Sequence, residues 1–300
     1  MIHLSTLTLV FLHFTINQEL WGTLQQNHQT YGYHPLVAFD GLTGDFLKAE
    51  LRSGNQYTSK GVKAFINPLL HHYKSTLPHT EILVRGDSGF ATPEVYESCE
   101  ATESQYVIRL KSNRRLSQLA EHSVLYGDNQ EWEEREVQYF SLPYQAQSWS
   151  KPRRVCIRSV REGGELLFHH AFIVTNLSDN VSPEVIFSLY GKRGTMENFI
   201  KEAKGGFYFD KTDSPRFLEN HVRMMISVLA YNLVNFLKSI GFDKVNQGMT
   251  IHSIRLILLK VAGKLVQTGR QVYLKLSSYH VYQTEFYKVF ERLRRSKQWI

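Results

Sequence analysis

Hydrophobic positions in the first third of the chain follow strand-like and helix-like patterns in turn. Two apolar runs flank a turn at residues 41–44, and this arrangement predicts a β-hairpin. After the hairpin, apolar side chains recur three and four positions apart, as on one face of a helix. The predicted elements are, in order, strands at 34–40 and 46–51, a helix at 58–77, a strand at 81–85, a helix that begins after Thr92, and a strand at 106–110. This order predicts an α/β sheet covered by helices.

Another apolar run, at residues 7–12, precedes the hairpin. It lacks a positively charged segment before it and a small-residue cleavage site after it, so we expect a buried strand rather than a signal peptide. No later segment approaches the roughly eighteen apolar residues of a membrane span, and we expect no membrane partner. Cys99 and Cys156 lack the Cys-x-x-Cys spacing of a zinc site. We therefore expect a reducing, cytoplasmic location.

The pattern changes after residue 110. Short apolar runs between charged and turn residues predict strands, at 137–140, 155–158, 166–168 and 171–174. From Ser182 the spacing is mostly helical, and the apolar stretch 222–237 is expected in the core. The predicted organisation is the first part of the core at 1–110, a β-rich insertion at 111–181, a helical completion of the core at 182–240, and a basic helical region at 241–300.

Positive charge is concentrated at the end of the sequence. The 300 residues carry a formal charge of +7, with a pI near 9.2. Residues 241–300 contain eleven Lys and Arg against three Asp and Glu, whereas the first 240 residues carry a net charge of −1. A basic section joined to a nearly neutral body predicts a surface that contacts the phosphates of a nucleic acid. A solvated basic helix face is the alternative.

Two carboxylates, Asp87 and Glu197, lie in sequence patterns that make them candidate catalytic residues. Asp87 follows a predicted strand and lies in a Gly-Asp-Ser-Gly turn, at the edge where open α/β sheets place their sites. A turn Asp that caps its own backbone is the alternative. Tyr190, Arg193, Glu197 and Lys204 have a spacing that would put all four on one helix face, most securely from Glu197 to Lys204 because glycines interrupt the first turn. An ordinary surface face with i, i+4 ion pairs is the alternative there.

The second set forms the pattern Tyr-x2-Arg-x3-Glu-x6-Lys. This pattern resembles the signature around the catalytic glutamate of bacterial insertion-sequence transposases of the DDE type. Further ordered motifs resemble one subgroup of that family, at 34–36, 52–55, 86–90, 106–110 and 209–213, and the resemblance spans about residues 22–300. It implies an α/β fold with a ribonuclease-H-like core, a mixed sheet flanked by helices, together with a β-rich insertion and a helical basic C-terminal section.

The resemblance also implies a site and its partners. Asp87 would be the second and Glu197 the third of three carboxylates that hold two divalent metal ions, Mg²⁺ or Mn²⁺, which favour oxygen ligands. Tyr190, Arg193 and Lys204 would contact DNA phosphates or position the transposon end. The implied partner is double-stranded DNA, both transposon ends and target, and the implied active form is a homodimer.

One feature of the family is missing from this sequence. The first aspartate of the family lies on the first strand of the core, yet the chain has no Asp before Asp40. We expect Asp40 to be a turn residue rather than a substitute ligand. A truncated or frameshifted reading frame would explain the absence, so we expect a defective transposase that binds metal poorly. The alternatives are a metal-dependent nuclease and a non-catalytic DNA-binding remnant.

Overall fold

The structure, a computed structural model, describes residues 6–13, 16–17, 23–24, 31–57, 59–125, 134–192 and 194–296. The chain divides into two compact units. The first unit consists of Met1–Glu197 and Ser214–Phe217, and the second consists of Asn198–Asp213 and Leu218–Ile300. The boundaries after Glu197 and after Phe217 fall within helices.

The first unit contains a large sheet and the helices that cover it. Its described strands are β1 (Thr6–His13), β2 (Ile16–Asn17), β3 (Thr23–Leu24), β4 (Tyr31–Tyr33), β5 (Leu36–Asp40), β6 (Phe46–Glu50), β7 (Glu81–Gly86), β8 (Gln105–Leu110), β9 (Glu136–Tyr144), β10 (Arg153–Arg161) and β11 (His169–Thr175). Its described helices are α1 (Val62–Thr76), α2 (Pro93–Ala101), α3 (Arg114–Ser123) and α4 (Pro183–Gly191).

Eight strands form one mixed sheet in the order β6-β5-β1-β7-β8-β11-β10-β9. β1 is antiparallel to β5 and parallel to β7, and β7 is in turn parallel to β8. The remaining neighbours in the sheet are antiparallel. The short strands β2, β4 and β3 form a separate sheet. Because β1, β7 and β8 run in the same direction, their carboxyl ends meet at one edge.

Side chains of β7 pack alternately on the two faces of the sheet. Val84 belongs to the larger core cluster, where it is buried together with Phe65 of α1 and Val95 of α2. Leu83 belongs to a second cluster, which includes Ile186 of α4. This alternation is the period-two pattern of a strand between two helical layers. The predicted α/β sheet covered by helices is therefore confirmed.

A buried polar network joins α2 to the later strands. Glu100 of α2 accepts hydrogen bonds from Arg153 of β10 and from the hydroxyl of Tyr106 on β8, and it also pairs with Lys151. The Arg153 guanidinium lies over the ring of Tyr96. Since the charge of Arg153 is compensated within this network, its burial is tolerated.

The strand predictions for the insertion are mostly confirmed. β9, β10 and β11 coincide with three of the four predicted runs, and β11 pairs with β8, so these strands extend the main sheet. The strand predicted at 166–168 is wrong, because the β10–β11 register pairs Val160 with His169 and leaves those residues in the connection. Leu166 and Leu167 are exposed there.

The second unit combines helices with a β-hairpin. Its elements are α5 (Gly194–Phe207, of which Asn198 onward belongs to this unit), α6 (Phe217–Gly241, from Leu218), α7 (Ile251–Ile254) with a following π-helical turn (Arg255–Leu259), β12 (Gly263–Thr268), β13 (Gln271–Leu276) and α8 (Gln283–Ser296). Phe242, Ile251, Ile254, Ile257 and Val289 form its core cluster.

The prediction that residues 241–300 are helical is wrong for 263–276. Thr268 pairs with Gln271, and Gly269 has a φ of 61° in the two-residue loop between them. A glycine at the first position of such a loop closes a tight hairpin, because glycine adopts positive φ without steric cost.

The predicted burial of residues 222–237 is also only partly correct. Met224, Val228 and Tyr231 are buried, whereas a second set of apolar side chains on α6 is exposed, namely Val222, Ile226, Leu229, Leu233 and Phe236. Within the described part of the chain, α6 is the one helix long and apolar enough to cross a membrane by length and composition, a test that core helices of soluble proteins also pass.

Candidate functional site

Asp87 lies directly after β7, at the edge where the parallel strands end. Its Oδ1 accepts the backbone N–H of Gly89 at 2.8 Å and caps a single 3-10 turn. Phe90 is buried beneath this turn, and a Cβ at Gly86 would approach the Phe90 Cβ to 3.0 Å. A glycine before Asp87 and a buried phenylalanine after it therefore hold the carboxylate at the sheet edge.

β1 is the strand beside Asp87. Its pairing with β7 ends at Phe11, which lies alongside Gly86. Continued by one residue beyond this last pair, the register would bring Leu12 of β1 level with Asp87, the first residue after β7. β1 has the sequence TLTLVFLH and contains no acidic residue. At the carboxyl ends of these strands, Asp87 is therefore the one carboxylate that β1 and the turn after β7 contain.

Asp40 does not replace the missing carboxylate. Its Oδ1 accepts the backbone N–H of Leu42 at 2.9 Å and its Oδ2 accepts the Thr43 hydroxyl at 3.0 Å, so both oxygens close the β5–β6 turn. Asp40 pairs with Leu9 of β1. Leu9 precedes Leu12 by three residues, which is ~10 Å along a strand at about 3.3 Å per residue. The prediction that Asp40 is a turn residue is confirmed.

Helix α4 is hydrogen-bonded to β7, the strand that directly precedes Asp87. Arg85 is buried, and its Nη1 donates to the backbone carbonyl of Leu189 at 3.1 Å. Burial lowers the pKa of Arg85. Tyr190, the next residue of α4, packs against the apolar cluster around Leu83. Sequence reasoning missed Arg85, for which the one available signal is a charged residue inside an otherwise apolar strand.

Glu197 and Lys204 lie on a different helix from Tyr190. α4 ends and α5 begins within residues 191–194, where two glycines interrupt the helical spacing. The single helix face expected for all four residues is therefore broken before Glu197. Glu197 is exposed in the first turn of α5 and Lys204 lies in its last turn, an arrangement that suits the helix dipole. Arg193 lies outside the described residues.

The donor set does not fit the two-metal centre that the resemblance implies. Among the residues that the structure describes, no three His, Cys, Asp or Glu side chains form a group able to hold a metal ion. Asp87 caps its own turn, Glu197 lies on an exposed helical turn, and β1 has no acidic residue. Mg²⁺ and Mn²⁺ need several oxygen ligands around one point. No reaction step through bound metal follows from this geometry.

The fold and the site together define an α/β protein with a carboxylate turn at the end of a central parallel strand and a strongly basic C-terminal section. A family model described as transposase DDE domain group 1 matches residues 17–298. The chain belongs to this family of transposase DDE domains, a class of DNA-cutting and DNA-joining enzymes.

Two solved structures resemble the chain distantly. A piggyBac transposase in a synaptic complex with hairpin DNA, determined by cryo-EM, has 10% identity and a TM-score of 0.47 over 80% of this chain and 49% of that chain. The NurA nuclease from Sulfolobus solfataricus has 10% identity and a TM-score of 0.29 over 69% of this chain and 86% of that chain. The chain thus spans about half the length of the piggyBac transposase. No curated protein matches it significantly.

Proposed function

We propose that this protein is a DNA transposase of the DDE type whose catalytic centre is incomplete. Membership of the family supports the reaction class, which is cleavage of DNA strands and joining of the freed ends. The observation that carries the proposal is Asp87, held at the carboxyl end of β7 beside a first strand without an acidic residue. In the proposed centre Asp87 takes the place of the family's second carboxylate and Glu197 that of the third, and Tyr190, Arg193 and Lys204 are the proposed DNA contacts.

The proposed core is ribonuclease-H-like. Its support is the order β6-β5-β1-β7-β8, in which three antiparallel strands are followed by two that run parallel to β1. α1 connects β6 to β7, α2 connects β7 to β8, and both helices cover one face of the sheet. The proposed substrate is the duplex DNA of a bacterial insertion sequence, encountered in the cytoplasm and bound by a homodimer. The net charge of +7 supports a polyanionic partner.

The absence of an acidic residue from β1 is expected to impair cleavage of DNA without impairing the binding of DNA. Displacement at phosphorus requires stabilisation of both the attacking and the leaving oxygen, which a complete acidic centre would provide through its metal ions. Binding of DNA depends instead on lysine and arginine side chains that contact phosphates. We therefore expect this chain to bind DNA and to cleave it weakly or not at all.

A combined cleavage and joining assay tests the proposal. The full chain is incubated with labelled duplex DNA and a supercoiled plasmid in Mg²⁺ or Mn²⁺, and products are resolved beside a gel-shift measurement. We expect retarded DNA without nicked or joined products. Strong cleavage that Asp87→Asn abolishes and the matched variant Asp45→Asn preserves would contradict the incomplete centre. Cleavage without joining would instead support a nuclease.

A non-catalytic DNA-binding remnant is the second candidate, and the acid-free sequence of β1 favours it. This candidate predicts that Glu197→Gln changes neither the affinity for DNA nor its salt dependence, since phosphate contacts do not need the carboxylate. A transposase that retains a catalytic use for Glu197 would show altered complexes with cleaved DNA ends in the same variant.

A further inference from the structure

The hairpin of β12 and β13, here called the β12–β13 ribbon, has two chemically different faces. In an antiparallel pair, residues directly opposite each other share a face. Lys264 is opposite Lys275, and the next pair on that face contains Tyr273. Leu265 is opposite Leu274 on the other face. Of the twelve ribbon residues, all except Val266 are exposed.

The paired lysines are unfavourable for the ribbon by itself. Like charges directly opposite each other in a sheet repel, and a two-stranded hairpin is marginally stable in water even without that cost. The structure pairs no carboxylate with Lys264 or Lys275 among the residues that it describes. A ligand that brings negative charge to this face would relieve the repulsion.

The surrounding sequence supplies no such charge. Residues 244–284 contain no Asp or Glu. They contain six cations, Lys244, Arg255, Lys260, Lys264, Arg270 and Lys275. Arg270 occupies the second loop position at the tip of the ribbon. The ribbon therefore presents two opposed ammonium groups and a guanidinium within the most consistently basic segment of the chain.

We infer that the polar face of the β12–β13 ribbon binds the backbone of duplex DNA. The inference rests on the proposed function, and it assigns DNA contact to a region outside the signature residues. The two strands lie about 4.8 Å apart, and a two-stranded ribbon fits a major groove about 12 Å wide. Lys264 and Lys275 contact phosphates, and Arg270 contacts DNA from the loop. Phosphate oxygens between the lysines replace the like-charge contact with two charge-assisted hydrogen bonds.

The polar character of this face fits the same ligand. Tyr273 lies between the lysine pair and the loop, and its hydroxyl donates to the Oε1 of Gln271. Side-chain amides and hydroxyls are common partners of phosphate and sugar oxygens in DNA complexes. The other face carries Leu265, Leu274 and Val272 with the single amide of Gln267 and has no lysine, so the inference concerns the polar face alone.

Binding of a labelled 30-base-pair duplex by the full chain, followed by fluorescence anisotropy across a salt series, tests the inference. Each lost phosphate contact reduces the slope of log affinity against log salt by about 0.9. The double variant Lys264→Gln/Lys275→Gln should therefore have a slope shallower by about 1.8. If parent and variant have equal affinity at 1 M salt, this slope corresponds to a loss of affinity of roughly 60-fold at 0.1 M salt. Lys264→Arg/Lys275→Arg should bind within about threefold of the parent, because both contacts are retained.

Lys60→Gln/Lys63→Gln provides the matched control, since it removes two exposed lysines, one just before α1 and one in its first turn. Thermal unfolding of every variant distinguishes a loss of DNA contacts from a loss of folding. Removal of the two repelling lysines in the double Gln variant should leave the melting temperature unchanged or raise it. Arg270→Gln, which changes one loop residue, should reduce the slope by about 0.9.

Three results would overturn the inference. An unchanged slope and affinity in the double Gln variant, with clear binding by the parent, would reject the ribbon and leave the proposed transposase function intact. Failure of the parent to bind duplex DNA at any salt concentration would reject both. Binding to anionic phosphatidylglycerol vesicles, with no binding to DNA, would assign the ribbon to a membrane surface instead.

Discussion

Replacement of Glu100 tests whether its ion pair with the buried Arg153 stabilises the packing of the inserted strands against the core. Arg153 Nε and Nη2 donate to Glu100 Oε1 and Oε2 at 2.8 and 3.1 Å. The guanidinium is buried and lies 5.0 Å from the ring centroid of Tyr96 and 5.6 Å from that of Trp149. Glu100→Gln preserves the length of the side chain but leaves the Arg153 charge without its compensating carboxylate.

Removal of one partner from a buried pair costs about 3–5 kcal/mol of unfolding free energy, because the other charge stays buried. One kcal/mol shifts the melting temperature of a unit of this size by roughly 2–4 °C. We therefore expect the melting temperature of the first unit to fall by about 10 °C in Glu100→Gln.

Differential scanning calorimetry at pH 7 measures this change. Glu97→Gln is the matched control on the same helix, since Glu97 is exposed and its Oε1 accepts one hydrogen bond from the Ser150 hydroxyl. Its effect should stay within about 0.5 kcal/mol, as for most surface substitutions. The double variant Glu100→Leu/Arg153→Met should recover much of the loss, because it removes both charges. A melting temperature for Glu100→Gln within about 2 °C of the parent would refute the reasoning.

Three further predictions concern acid stability, glycine packing and thiol reactivity. Burial opposes ionisation of Glu100, but hydrogen bonds from Arg153 and Lys151 and the charge of Arg153 outweigh it and hold the pKa of this carboxyl below its usual range. The stabilisation is therefore complete above the unfolded pKa and is lost as pH falls through the lower folded pKa, so acid titration should destabilise the parent more steeply than Glu100→Gln. Gly205→Ala should stabilise the protein by about 0.5–1 kcal/mol in urea unfolding, since no atom lies within contact distance of the added methyl group in α5. Gly206→Ala should destabilise it by about 1–3 kcal/mol, because the added methyl group would collide with Ile251. Equal effects of the two substitutions would contradict this packing. Burial raises the pKa of Cys99 and raises that of Cys156 to about 11. Neither thiol should therefore react with a thiol reagent at pH 8 until urea unfolds the chain. Rapid labelling of the native protein would contradict this prediction.

The first half of the sheet was predictable because its elements follow simple periods. The runs before and after the turn at 41–44 became β5 and β6, and the helically spaced segment became α1. Asp87 was found for the same reason, since a Gly-Asp turn after an apolar strand marks a sheet edge. The role of Asp40 in its turn also followed from the local sequence.

The remaining features depend on contacts that periodicity does not report. The apolar spacing of α6 does not tell which of its faces meets a neighbour, so Leu229 was expected in the core and is exposed. The β12–β13 ribbon alternates at 272, 274 and 276, but the mostly helical spacing after Ser182 led to a helical prediction for the whole of 241–300. Arg85 acquires its role through a carbonyl more than a hundred residues away in the sequence, which no local pattern predicts.

Metal binding by the parent and by Leu12→Asp tests the central claim most directly. Because the β1–β7 register, continued by one residue, would bring Leu12 level with Asp87, we expect an aspartate at position 12 to supply the carboxylate that the strand lacks. Isothermal titration with Mn²⁺, paired with the DNA-cleavage assay, should show weak or no metal binding and weak or no cleavage by the parent. Leu12→Asp should gain Mn²⁺ binding that Asp87→Asn removes, whereas the isosteric control Leu12→Asn should gain none. Strong Asp87-dependent Mn²⁺ binding and cleavage by the unaltered chain would contradict the account.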